Sequence, residues 1–185
     1  MTTRFTAPSY PLRVLACVDV DYRNRGAVAG CVLFAGWTDE LPARELTAHA
    51  YEVEPYVPGQ LYRRELPLLA RVLALVTEPL EVIIIDGNVW LDAAPTAGLG
   101  AHLWEAIGRR AAVIGVAKTA YAGAPAIPVL RGESANPLHV TAAGMEPAVA
   151  AAHIAAMHGP FRIPTLLTRV DRLCRTAPLP AVAGT

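Results

Sequence analysis

Glu81-Val82-Ile83-Ile84-Ile85-Asp86, followed at once by Gly87, is an unbroken apolar run closed by an acid and a turn residue. Having no polar side, such a run predicts a central strand covered on both faces, as in parallel sheets. An acid at its carboxyl end falls in the crevice where α/β proteins bind ligands. Residues 111–118 (AAVIGVAK) repeat the pattern and end in a lysine. Working back, residues 13–20 (RVLACVDV), 27–35 (AVAGCVLFA) and, with weaker alternation, 45–54 read as strands with short links, which predicts an antiparallel meander. Between the meander and the central run, Leu68, Leu69, Val72, Leu73 and Val76 fall at helical spacing, with Pro67 suiting a first turn. Helices over 98–110, 146–157 and 165–174 and short strands over 126–131 and 138–142 complete the pattern. The expectation is one α/β domain over 12–176 with helices on both faces of a mixed sheet, antiparallel in its first three strands and parallel after. A short arm (1–11) would precede it and a frayed tail (177–185) would follow.

Composition narrows the function. Of 185 residues, 54% are hydrophobic and 17% charged, which excludes a disordered chain. Sixteen Lys+Arg balance sixteen Asp+Glu, so a polyanion would have to be met by local groups or by metal ions. The opening MTTRFTAPSYPLRV has no apolar signal segment, and no apolar run reaches the length of a membrane span. Cys17, Cys31 and Cys174 form no CxxC motif, and Cys17 and Cys31 sit in apolar strands. These features predict a reduced, cytoplasmic protein.

Three acids and one lysine carry the chemistry. Asp19 interrupts the apolar strand Val14-Leu15-Ala16-Cys17-Val18-Asp19-Val20, where a carboxylate needs a cation, a set of donors or a metal. Asp86 closes the central strand, and Glu65 is placed at the opening of a helix, near its positive end. Each also fits a cap or turn carboxylate. If the first and fourth strands are neighbours, Asp19 and Asp86 converge, and clustered carboxylates suit Mg²⁺ or Mn²⁺. Lys118 is the only lysine; the other basic residues are all arginine. A compact ammonium at a strand end could stabilise charge at a phosphate.

Pro55-Tyr56-Val57-Pro58-Gly59-Gln60-Leu61-Tyr62-Arg63-Arg64-Glu65 resembles the PYIPG-x-L-x-x-RE signature of the endonuclease V family. Cys17-Val18-Asp19-Val20, Ile84-Ile85-Asp86-Gly87 and Ile114-Gly115-Val116-Ala117-Lys118 resemble, in family order, its two strand-aspartate motifs and its VAK strand. Phe161-Arg162-Ile163-Pro164 and Thr168-Arg169 resemble its closing segment. The resemblance implies a ribonuclease H-like fold and a Mg²⁺-dependent endonuclease, Mn²⁺ being a possible substitute. It would nick DNA or RNA at the second phosphodiester 3′ of inosine, a deaminated base. Asp19, Glu65 and Asp86 would hold the metal, and Lys118 would assist at the scissile phosphate. Tyr56 would wedge into the gap left by the extruded base, stiffened by Pro55 and Pro58. Backbone around Gly59, Leu61 and Gly87 would line the base pocket.

The chain also departs from the pattern. Where the family runs D-G-H-G-x-x-H-P-R, this sequence has Asp86-Gly87-Asn88-Val89-Trp90-Leu91-Asp92-Ala93-Ala94. Val89 is expected to narrow the base pocket, and Asp92 to bring a negative charge toward phosphate. The V-S-x-G-H motif survives as Val140-Thr141-Ala142-Ala143-Gly144, its histidine falling on Gly144 or Met145. That histidine is expected near the metal, as the resemblance implies, and the family's helix before the first strand is expected to be missing from the dozen residues before Arg13. His139 lies five positions early, and His153 and His158 do not share a helical face. Arg162, Arg169, Arg172 and Arg175 form a candidate phosphate patch or a solvated helix face, opposed by Asp171 alone. Two rivals follow from these departures: a nucleic-acid-binding homologue that has lost catalysis, and an active nuclease with a different nucleic-acid target.

Overall fold

The computed structural model describes residues 13–51 and 61–179, with only the helical backbone of Leu61. Seven strands form one sheet in the order β3-β2-β1-β4-β5-β7-β6. The strands are β1 (Val14–Arg23), β2 (Gly26–Phe34), β3 (Arg44–Ala50), β4 (Leu80–Asp86), β5 (Ala112–Ala117), β6 (Ile127–Val129) and β7 (Leu138–Ala143). β1, β2 and β3 are the expected meander, and β1, β4 and β5 run parallel beside one another. The parallel part stops there, because β7 returns antiparallel to β5 and β6 antiparallel to β7.

Helices α1 (Leu61–Leu73) and α2 (Leu99–Ala106) cover one face, while α3 (Pro147–Ala156) and α4 (Thr165–Thr176) cover the other. β2 is buried along its whole length, and the apolar run of β4 is likewise buried from Val82 to Ile85, as a strand covered on both faces must be. Alternation sorts the side chains. Leu15, Cys17, Val82, Ile84, Ile114 and Val116 point into the α3/α4 core, and their neighbours Ala16, Val18, Ile83, Ile85 and Val113 into the α1/α2 core.

One helix differs from expectation. α1 includes Leu61, so Pro67 lies inside it and Glu65 sits in its second turn, not at its opening. Tyr56, Pro58 and Gly59 fall outside the described residues.

Glycine matters most at Gly115 in the centre of β5. A Cβ there would stand 2.6 Å from the Gly87 carbonyl oxygen and 2.8 Å from both the Val89 nitrogen and Thr141 Oγ1. The bare backbone lets the segment after Asp86 fold down onto the sheet. Gly87 begins that descent at φ +129°, a conformation that side chains disfavour.

Candidate active site

Register assembles the site. Val18 pairs with Ile85 across β1 and β4, so the next residues, Asp19 and Asp86, come side by side where the parallel pairing ends, at the carboxyl end of β4 and partway along β1. By alternation both project toward the α4 face, as does Lys118 just beyond β5. Lys118 Nζ donates to Asp86 Oδ2 at 2.5 Å, and both side chains are about half exposed. The Val20 backbone N–H donates to Asp19 Oδ1 at 2.8 Å. Glu65 enters from α1 on the other face, close enough to repel Asp19 and Asp86.

The electrostatics divide the acids into two kinds. Burial pushes Asp19 up to about 6, against the Val20 N–H and helped by repulsion from Asp86 and Asp171. Burial, then repulsion from Asp19 and Asp86, pushes Glu65 up to about 7. Asp86 and Asp171 each have a cation instead: Lys118 on the first and Arg175, at 3.0 Å, on the second. For Lys118, burial works against the charge, but the Asp86 hydrogen bond and the nearby carboxylates hold the ammonium above its ordinary range.

Asp171 is the site residue that the sequence reading missed. It lines, with Asp19, Asp86, Lys118 and Arg175, a cleft of about 240 Å³ floored by Val18, Val116, Ile163, Leu167 and Val170. Its signal was present: Asp171 falls one turn from Leu167 and Cys174, within the apolar stripe of α4. It counted instead as the counter-charge to an arginine cluster.

Several expectations are corrected here. Val89 does not enter a base pocket; it is fully buried in the α1/α2 core, where its side chain would meet any Cβ at Gly100. Its N–H donates to Thr141 Oγ1 at 2.8 Å, and Trp90 Nε1 donates to the Ala142 carbonyl at 2.9 Å. Thr141, from the altered V-S-x-G-H motif, therefore anchors the segment after Asp86. Asp92 turns into its own loop, accepting from the Thr96 hydroxyl at 2.6 Å and from the Ala94 and Thr96 backbone. Gly144 lies beside Ala112 and Trp104, at the start of β5 and the opposite end of the sheet from Asp86. A histidine missing from that position takes nothing from the acidic cleft.

Histidines elsewhere have structural partners. His153 stacks on Trp37 with centroids 4.1 Å apart, His102 stacks on Tyr62 at 3.8 Å, and His158 Nδ1 meets Thr165 Oγ1 at 3.0 Å. The arginines do not form a free patch either. Arg169 pairs with Glu45, Arg175 with Asp171, and Arg162 turns inward onto main-chain carbonyls, leaving Arg172 on the exposed face of α4.

Among the described residues, no group of three or more His, Cys, Asp or Glu side chains is drawn together as a finished metal cage. Mg²⁺ does not require one. It binds through one or two carboxylates and keeps several waters, with substrate phosphates completing the shell. Two desolvated, mutually repelling carboxylates beside an exposed third have unmet demand for positive charge and fit such an ion.

A parallel strand centre with acids and a single lysine at its carboxyl ends defines an α/β domain suited to a charged ligand. The family model for endonuclease V matches residues 2–158, and the chain belongs to the endonuclease V family. It is 34% identical to an endonuclease V of Streptomyces avermitilis, over 86% of this chain and 78% of that one. It is 37% identical to an endonuclease V of Xanthomonas campestris, where the match covers 60% of this chain and 46% of the relative, so the chain spans about half the length of that relative. The crystal structure of endonuclease V from S. avermitilis superposes with TM-score 0.73 at 30% identity, covering 89% and 81% of the two chains. Endonuclease V of Ciona intestinalis, solved with a 23mer DNA containing an inosine followed by a ribo-adenosine, superposes with TM-score 0.74 at 18% identity over 88% and 84%. The fold is ribonuclease H-like, as the resemblance implied.

Proposed function

We propose that the chain is a divalent-metal-dependent endonuclease that hydrolyses a phosphodiester 3′ of a deaminated base, inosine, in DNA or RNA. The observation that carries the reading is the meeting of Asp19, Asp86, Asp171 and Lys118 around one cleft, with Glu65 behind it near enough to feel the charges of Asp19 and Asp86. Asp19 and Asp86 would hold Mg²⁺ or Mn²⁺, with Glu65 and Asp171 as further ligands or holders of its waters. When bound, the metal supplies an activated water and neutralises charge building on the phosphate.

The protein groups do the remaining work. Glu65, desolvated and repelled by Asp19 and Asp86, would be relieved by the metal's charge and would hold one of its waters. Lys118 Nζ, held over Asp86, would offer its charge to an oxygen of the scissile phosphate. Arg175 at the rim offers a second cation to the backbone. Tyr56, Pro58, Gly59, Leu61 and Gly87 would form the wedge and pocket for the extruded base. Three buried free thiols, Cys17, Cys31 and Cys174, fit a reducing compartment such as the cytoplasm.

A second reading keeps the nuclease and changes the base. Asn88 stands where the family has a histidine, and its Oδ1 is buried without a hydrogen-bond partner. A lost histidine and an acceptor awaiting a donor next to Gly87 would alter which base edge is accepted.

The test is a nicking assay with Mg²⁺ or Mn²⁺ on matched DNA and RNA oligonucleotides, with and without inosine, beside Asp86→Ala. Cleavage one nucleotide beyond inosine, absent in the variant, is expected. Nicking retained by Asp86→Ala would sink the assignment. Cleavage confined to oligonucleotides without inosine would favour the second reading.

A further inference from the structure

Lys118 has no ladder to hold it. β5 ends at Ala117, so the backbone that carries the only lysine has already left the sheet. Its carbonyl is taken by the guanidinium of Arg162, whose Nη2 donates to the Lys118 oxygen and also, at 2.8 Å, to the Pro137 oxygen. Pro137 immediately precedes β7, the antiparallel neighbour of β5. One guanidinium thus ties together the two chain ends that diverge where the pairing of β5 and β7 stops.

Arg162 is itself held. Arg131, almost wholly buried, donates Nη1 to the Phe161 oxygen at 3.0 Å and to the Arg162 oxygen at 3.3 Å, and Nη2 to the Met157 and Gly159 oxygens. The contact leaves no room to slip, because a Cβ on the next residue, Gly132, would come within 2.3 Å of the Pro160 oxygen. The link between α3 and α4 is therefore clamped by one arginine so that another can reach across to Lys118.

We propose that Arg162 is a positioning residue for Lys118, and that its grip on the Lys118 carbonyl keeps the ammonium over Asp86. Its value to catalysis rests on the nuclease reading above; the placement itself does not. Arginine suits the task because the two hydrogens of Nη2 are held in the guanidinium plane and reach two acceptors at once. Charge alone is not the point, since Arg162 touches main-chain oxygens and no carboxylate.

The single lysine makes the test direct. Reductive methylation with ¹³C-formaldehyde labels only Lys118 and the terminal amine, so one dimethyl-lysine NMR signal reports the site at a fixed neutral pH. In the wild type that signal is expected away from the free dimethyl-lysine position, and Asp86→Asn should return it there. Arg162→Gln should return it too, although Asp86 is intact, while Arg172→Gln, which removes the same charge from exposed α4, should not. Unlabelled Arg162→Gln should lower kcat by about a hundredfold, as a displaced catalytic group does, with KM little changed.

A folded Arg162→Gln whose Lys118 signal stays displaced overturns the proposal. Should that variant fail to fold, Arg162→Met, which keeps the apolar stem and adds no second amine, replaces it: a signal returned toward the free position supports the proposal and an unmoved signal overturns it. If the wild type nicks nothing with either metal, the nuclease reading falls, and the NMR comparison still decides the positioning role.

Discussion

The cleft is built from two kinds of element, and they contribute differently. Asp19 and Asp86 come from neighbouring parallel strands, where register sets their spacing, and Lys118 from the residue just past the end of the next strand. Glu65 and Asp171 come from helices on opposite faces, whose distance from the strands depends on side-chain packing. Strand ends fix relative position; helices fix how tightly the cleft closes. A substitution on a strand should therefore remove function outright, whereas one on a helix should grade it.

The largest effect after Asp86→Ala is expected from Asp171→Asn. It keeps shape and removes one charge, and should weaken Mn²⁺ binding and nicking by about ten- to hundredfold. Calorimetric metal titration of the free protein, run beside the cleavage assay, checks it; unchanged affinity would remove Asp171 from the site.

Gly115→Ala probes the strand side without touching a charge. Its methyl group would meet the Gly87–Val89 backbone and the Thr141 hydroxyl, so a loss of about 1–3 kcal/mol is expected, read by urea unfolding. The segment bearing Gly87 must lift, and cleavage should fall with it. Stability unchanged from wild type would mean that the loop is looser than its hydrogen bonds suggest.

Glu65 gives a signed pH effect. Its folded value of about 7 stands above its ordinary 4.5, so the protonated form is favoured by folding. Its contribution is present in full below about 4.5, and the stability of the metal-free protein should fall as pH rises through about 7. Thermal melts between these limits should flatten in Glu65→Gln by up to about 2 kcal/mol, and a saturating divalent metal should restore much of the wild-type loss at neutral pH. An identical slope in both proteins would contradict a buried Glu65.

The smallest effect is expected from His139→Ala. His139 pairs with Ala117 at the cleft end of the sheet, but alternation turns it to the face opposite Lys118. Cleavage should stay within about twofold, and stability within about 0.5 kcal/mol. A large loss of activity would mean that a histidine works in the cleft after all.

Strand-borne features were legible in the sequence because each was a local contradiction: a carboxylate within or closing an apolar run, a lone lysine at a strand end. The meander and the parallel centre followed from the same runs. Helix-borne features were harder. Asp171 shares α4 with Arg169, Arg172 and Arg175, and although its spacing puts it in the apolar stripe, which strand it meets depends on how α4 is set against β1 and β2. The antiparallel return of β7 was hidden because a short apolar strand reads alike in either direction. Val89 was misplaced for a related reason: a branched residue after a turn reads as protruding until the glycine beneath it, Gly115, is seen to make room.

That sensitivity of α4 has one further source. Gly30 of β2 lies under Cys174, and a Cβ at Gly30 would come within 2.7 Å of the Cys174 sulfur. The same thiol donates to the Asp19 carbonyl at 3.2 Å. The span between Asp19 and Asp171, across which a nucleic-acid strand would be gripped, is thus set by a residue with no side chain in a strand that supplies nothing to the cleft. Widening residue 30 would act as a shim under the jaw, opening the bite of the enzyme from behind.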